Sequence, residues 1–136
     1  MLNIKEFIKT IFLTYLNKMQ NFKNWKTKAL IILENCSKSG KLITYGNLAK
    51  EVNIPPPNTI KKLTSWLEDI TIERTKLKKP LISALVVSKS DGKLPARGFF
   101  LFCKKIGIYN GKETGNEALR WHKNILNDFQ SFRLEK

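Results

Sequence analysis

Lys61 and Lys62 precede Ser65 by four and three positions in TIKKLTSW, the run that opens at Thr59. On a helix, residues three and four apart are neighbours, so two ammonium groups and a hydroxyl would share one face there. Lysine offers point-charge contact to phosphate oxygens or to the acceptor edge of a purine, and serine can reach either. A second set, Lys89, Lys93 and Arg97, punctuates SKSDGKLPAR. A third, Arg74, Lys76, Lys78 and Lys79, is the densest basic run and suits phosphate contact or plain solvation rather than base readout. For all three sets the competing reading is an ordinary solvated surface, which carries the same residue types.

Net charge favours the anionic partner. The chain of 136 residues holds 25 basic and 11 acidic side chains, a formal +14. Residues 1–37 contribute +4, residues 38–110 contribute +9 and residues 111–136 contribute +1. A phosphate polymer is the usual partner of such a field, because neutralising its charge releases condensed counterions. An anionic membrane, an acidic protein or a general lysine bias would also produce a positive chain. Concentration of the excess in the middle of the chain is what one binding surface would give.

Other chemistries are poorly supplied. Cys36 and Cys103 lie far apart and His122 is the only histidine, so Cys and His alone cannot build a four-ligand zinc site. No metal and no cofactor is expected. There is no glycine-rich phosphate loop, no carboxylate pair at metal spacing and no Ser-His-Asp signature. His122 falls within an apolar helical stripe and is expected to be a packed structural residue. Trp66 and Trp121 flank such stripes, and core packing is expected of both. The N-terminal stretch MLNIKEFIKTIFLTYL has no apolar run longer than Ile11–Leu13, too short for a signal core or a membrane span. A soluble cytoplasmic protein with reduced thiols is the expectation.

The elements that must carry these residues follow from periodicity. Residues 3–20 repeat apolar side chains at helical steps, and residues 24–36 do so again, ending at Gly40. In GKLITYGNLAKEV, Thr44 is an N-cap candidate, and Tyr45, Leu48, Ala49 and Val52 form one stripe over two turns. Asn53-Ile54-Pro55-Pro56-Pro57 must stop that helix. Asn58 is a second N-cap candidate, before a helix striped by Ile60, Leu63, Leu67 and Ile70. Two short helices across a proline-stiffened turn predict a helix-turn-helix. PLISALVVSKS and GFFLFC (98–103) are strand-like in composition, and Asp91-Gly92 between them is a turn signal. The pattern therefore predicts a mainly α fold with a small β-hairpin, an α+β winged helix-turn-helix. Lys89, Lys93 and Arg97 would occupy the wing. A helix capped by Asn116, with Leu119, His122, Ile125, Leu126, Phe129 and Phe132 inward, would complete a single domain over 1–136. Its parts are a helical N-terminal segment (1–37), the winged-helix core (38–110) and the C-terminal helix (111–136).

Thr44-Tyr45-Gly46-Asn47-Leu48-Ala49 followed by Val86-Val87-Ser88-Lys89-Ser90-Asp91-Gly92 resembles the DNA-binding domain of O6-alkylguanine-DNA alkyltransferases and alkyltransferase-like proteins. The resemblance spans roughly residues 40–100. It implies a winged-helix scaffold and duplex binding. Where that family carries its reactive Pro-Cys-His-Arg element, this chain reads Ser83-Ala84-Leu85, so no alkyl-accepting thiol is present there. The family's helix-borne arginine has no counterpart near Lys61 and Lys62.

The expected function is thus non-catalytic binding of nucleic acid, duplex DNA before RNA. Thr59, Lys61, Lys62, Ser65, Lys78, Lys79, Lys89, Lys93 and Arg97 are the expected contacts, and no residue is assigned a catalytic role. Two alternatives stay open. One is a small nuclease or toxin using the same basic surface; the other is a protein-interaction subunit of a nucleoprotein complex that docks through the N-terminal helix.

Overall fold

The computed structural model describes residues 3–22, 24–90 and 93–134; for 16–22 and 132–134 the description is of the backbone alone. The described residues form six α-helices and a two-stranded sheet. In chain order these are α1 (Ile4–Phe22), α2 (Trp25–Ser39), β1 (Ile43–Thr44), α3 (Tyr45–Glu51), α4 (Thr59–Lys76), a 3-10 turn (Ile82–Leu85), β2 (Val86–Val87), α5 (Arg97–Lys105) and α6 (Gly115–Leu134). None of the described helices is long and apolar enough to cross a membrane.

Local chemistry accounts for most of the boundaries. Asn24 accepts the Lys26 N–H at 2.9 Å and caps α2. The same helix ends at Gly40, whose φ of 73° is the left-handed conformation that a Cβ would oppose by roughly 1 kcal/mol. Thr44 accepts the Asn47 N–H at 3.2 Å and caps α3 as its sequence position predicts. Asn58 occupies the N-cap position of α4 but makes no side-chain cap, because its φ of 58° lies outside the extended region that aims a capping oxygen at the first turn. The turn between α3 and α4 is Val52–Asn58, with a cis peptide bond between Pro56 and Pro57. Buried Ile54 plugs it into the core.

The core draws on α2, α3, α4, the 3-10 turn and α6. Ala29 and Leu33 of α2, Leu48 and Val52, Leu63 and Leu67 of α4, Ile82 and Leu85, and Ile125 and Phe129 of α6 pack into one cluster. Each such side chain contributes about 1.5–3 kcal/mol of transfer free energy. The inward face of α4 is rotated from the simple stripe: Trp66 is buried while Ile60 is 44% exposed. On α6, which begins at Gly115 with Asn116 already inside the helix, Ala118 is buried and Leu119 faces out. His122 is buried and its Nε2 lies 2.8 Å from the Ala84 carbonyl, so α6 is pinned to the 3-10 turn.

The hairpin is not formed. β2 pairs in parallel with β1, Ile43 opposite Val86 and Thr44 opposite Val87, and α3 and α4 make the crossover that parallel strands require. The run read as a second strand, GFFLFC, lies in helix α5. A continuous apolar run does not distinguish strand from helix by itself. Here the helix sets Phe100 and Cys103 inward, three residues apart, and leaves Leu101, Lys104 and Lys105 outside. The strand reading of PLISALVVSKS holds only for Val86–Val87, since Ile82–Leu85 coil into the 3-10 turn. The Asp91-Gly92 turn signal lies outside the described residues.

α1 stands apart from this core. Every described side chain from 3 to 15 is exposed, among them Ile4, Phe7, Ile8, Ile11, Phe12, Leu13 and Tyr15. The helical periodicity expected there is present, yet none of the described side chains of residues 3–15 belongs to the core cluster.

Candidate nucleic-acid interface

α3 is a support and α4 presents the surface. Leu48, Ala49 and Val52 are buried beneath α4. The Tyr45 hydroxyl accepts the Ala96 N–H at 3.0 Å, tying α3 to the segment before α5. Burial raises the Tyr45 phenol above its ordinary pKa, so the group is protonated and keeps its own hydrogen to donate. With about 100° between successive residues, Lys61, Ser65 and Glu68 fall in one exposed ridge along α4.

A hollow lies on each side of that ridge. On one side a pocket of about 190 Å³ is lined by Tyr45, Thr64, Leu67, Glu68, Thr71, Ser83, Ala96, Gly98, Phe99 and Phe102. Its floor contains a buried hydroxyl pair, Thr71 and Ser83, 2.6 Å apart. Thr71 donates to the Leu67 carbonyl at 2.8 Å, so Ser83 must be the donor within the pair. The Ser83 lone pairs and the Glu68 carboxylate remain as acceptors, and Tyr45 as a donor. No base activates Ser83, because its hydrogen is committed to Thr71 and His122 Nε2 is turned to Ala84. Sequence reasoning did not select this pocket: Tyr45, Thr71 and Ser83 come from three separate elements.

On the other side a wider groove is lined by Trp25, Lys26, Pro55, Asn58, Lys61, Lys62, Ser65, Trp66 and Asp69. Trp25 and Trp66 meet edge to face, ring centres 5.9 Å apart. Lys62 Nζ donates to the Pro55 carbonyl at 2.8 Å, so this lysine braces the proline turn as well as charging the groove. Lys26 lies over the Trp25 ring, 5.8 Å from its centre.

The remaining expected contacts are dispersed. Thr59 is half-buried at the start of α4. Lys78 and Lys79 are exposed beyond its far end, about 25 Å along the axis from Lys61 at 1.5 Å rise per residue. Arg74 of the same basic run is ion-paired with Glu34 of α2 and only 14% exposed, so it joins two helices and is not a free phosphate contact. Lys89 and Lys93 are exposed on the loop between β2 and α5, where the Ser88 N–H meets the Leu94 carbonyl at 2.7 Å. That loop replaces the expected hairpin wing. Lys93 borders a depression shared with Thr44 of β1 and Asn47 of α3 rather than with α4. Arg97 opens α5, and its neighbours Ala96 and Gly98 line the pocket on the Glu68 side of the ridge.

Burial pushes the Cys103 thiol up to about 12, so it is not a nucleophile at neutral pH. Among the described residues no three His, Cys, Asp or Glu side chains converge as metal ligands. No protein-family description, curated protein or solved structure matches the chain.

Proposed function

We propose that the chain binds duplex DNA without catalysing a reaction, through α3 and α4 acting as a helix-turn-helix with the 88–96 loop beside it in the place of a wing. The observation that carries the reading is the exposed ridge of α4. Lys61 and Ser65 stand at its N-terminal half, the end a recognition helix presents to bases, and Glu68 lies farther along, where a phosphate would be repelled. The segment that carries this ridge, residues 38–110, also holds most of the chain's positive excess, +9 of +14. Affinity is then steep in salt and modest in sequence preference, since lysine supplies point charge and not the bidentate fork of arginine.

The test is a salt-titrated binding assay on duplex DNA, single strand and RNA, with a cleavage readout in the same lanes. Duplex preference with a steep slope, weakened in the Lys61→Ala/Lys62→Ala/Lys93→Ala/Arg97→Ala variant and without strand scission, is expected. A flat salt dependence, or binding unchanged in that variant, overturns the reading; metal-dependent scission moves it to the nuclease alternative. The uncovered apolar face of α1 favours a second, compatible reading, in which the chain is an interaction subunit docked through that helix.

A further inference from the structure

The groove between α2 and α4 gathers Lys26 from one helix with Lys61 and Lys62 from the other, and lines its wall with Trp25 and Trp66. None of these three ammonium groups has a carboxylate within ion-pair distance among the described residues; the ion pairs present there are Arg74–Glu34 and Lys104–Glu113. Asp69 lines the same groove and is not ion-paired with any of them. The fold thus gathers three ammonium groups and one carboxylate around one hollow, a net surplus of positive charge without an ion pair. Lys62 is partly explained by its bond to Pro55, whereas Lys26 is exposed and lies over the Trp25 face.

We infer that this groove, about 530 Å³ in volume, seats the sugar-phosphate backbone of the duplex whose bases face the α4 ridge, so that Lys26 and Trp25 of α2 form part of the DNA-binding surface. The chemistry is matched at both levels. Cations at the rim take phosphate oxygens, and the indole edges give the deoxyribose an apolar wall. Its geometry is continuous with the ridge, because Lys61 and Ser65 belong to both. Neither the helical periodicity nor the charge distribution along the chain brings Lys26 into one groove with Lys61; 35 positions separate them, and the packing of α2 on α4, with Trp25 against Trp66 at the groove, closes that distance.

The inference rests on the duplex-binding reading, and one experiment separates the two. Wild type, Lys26→Ala, Lys26→Glu and a control, Lys123→Ala at an exposed position of α6, are titrated with a labelled duplex across salt concentrations, folding being checked by circular dichroism. Losing one phosphate contact lowers the slope of log K against log salt by about one and affinity by roughly three- to tenfold in Lys26→Ala. Lys26→Glu loses more, and Lys123→Ala is unchanged. Saturating duplex also protects Lys26, and not Lys123, from acetylation by several-fold. Wild-type binding with unaltered affinity and slope in both Lys26 variants overturns the groove assignment and leaves the ridge standing. Failure of the wild type to bind duplex overturns both.

Discussion

Ser83 gives its hydroxyl hydrogen to Thr71 across 2.6 Å, a buried bond that joins the 3-10 turn to the middle of α4. The direction follows from Thr71's own hydrogen being spent on Leu67, and it makes the two partners unequal. Thr71→Val leaves a buried Ser83 donor without an acceptor and should cost about 1–3 kcal/mol, whereas Ser83→Ala leaves Thr71 satisfied by Leu67 and should cost about 1 kcal/mol. Urea unfolding of the two variants checks the order. Equal losses would mean that the pair is not directional.

Arg74 predicts a separation of stability from binding. Its ion pair with Glu34 ties α4 to α2 at a mostly buried arginine, and hydrogen bonds between charged groups contribute about 1.5–3 kcal/mol. Arg74→Ala should lower stability by about 2 kcal/mol while the folded fraction keeps its duplex affinity. A selective loss of DNA binding at unchanged stability would return Arg74 to the phosphate contacts.

His122 predicts a dependence on pH. Burial holds its imidazole below the ordinary value near 6.5, with the Ala84 hydrogen bond opposing that shift. As pH falls below about 6.5 the unfolded chain takes up a proton that the folded chain refuses until its own lower pKa is reached. The unfolded state binds more protons in that window, so stability falls with pH there and is complete above it. Thermal midpoints of wild type and His122→Gln between pH 7.5 and the onset of carboxylate titration should converge as pH falls, the variant showing the flatter profile.

Position along α4 predicts which lysines count. Lys61 and Lys62 stand at its N-terminal end and Lys78 and Lys79 beyond its far end. A Lys61→Ala/Lys62→Ala pair should reduce the salt slope by about two, and a Lys78→Ala/Lys79→Ala pair by less than one. The reverse order would place the duplex at the other end of the helix.

The bare face of α1 predicts that its removal is nearly silent for the fold. Deleting residues 1–22 should leave the unfolding midpoint within a few degrees, because the described side chains of residues 3–15 are all exposed and none belongs to the core cluster. Binding of a hydrophobic dye should drop sharply in the same variant. A large loss of stability would show that α1 covers the core in solution.

Several features were legible from residue types alone. The Thr44 cap, the Gly40 stop, the proline break after Val52 and the packed His122 each follow from a local rule: a side-chain acceptor at an N-terminus, a left-handed φ, a missing N–H, a lone imidazole within an apolar stripe. The wing was misread because GFFLFC satisfies strand propensity and helical packing alike. What decided it was that Val86-Val87 had already found a parallel partner in Ile43-Thr44, leaving Phe100 and Cys103 to be buried from a helix. Asn58 was misread as a cap because a composition rule cannot supply a backbone angle.

By itself, then, the sequence determined a mainly helical chain with a helix pair, the first member capped by Thr44, in a segment of surplus positive charge, since capping, periodicity and charge are properties of neighbouring residues. The tertiary structure alone decided which charges are free and which are spent. It paired Arg74 with Glu34, set Lys26 beside Lys61, and assembled Tyr45, Thr71 and Ser83 into one pocket. Those juxtapositions cross 40, 35 and 38 positions of chain, and only the burial of a shared core selects among contacts so remote in sequence.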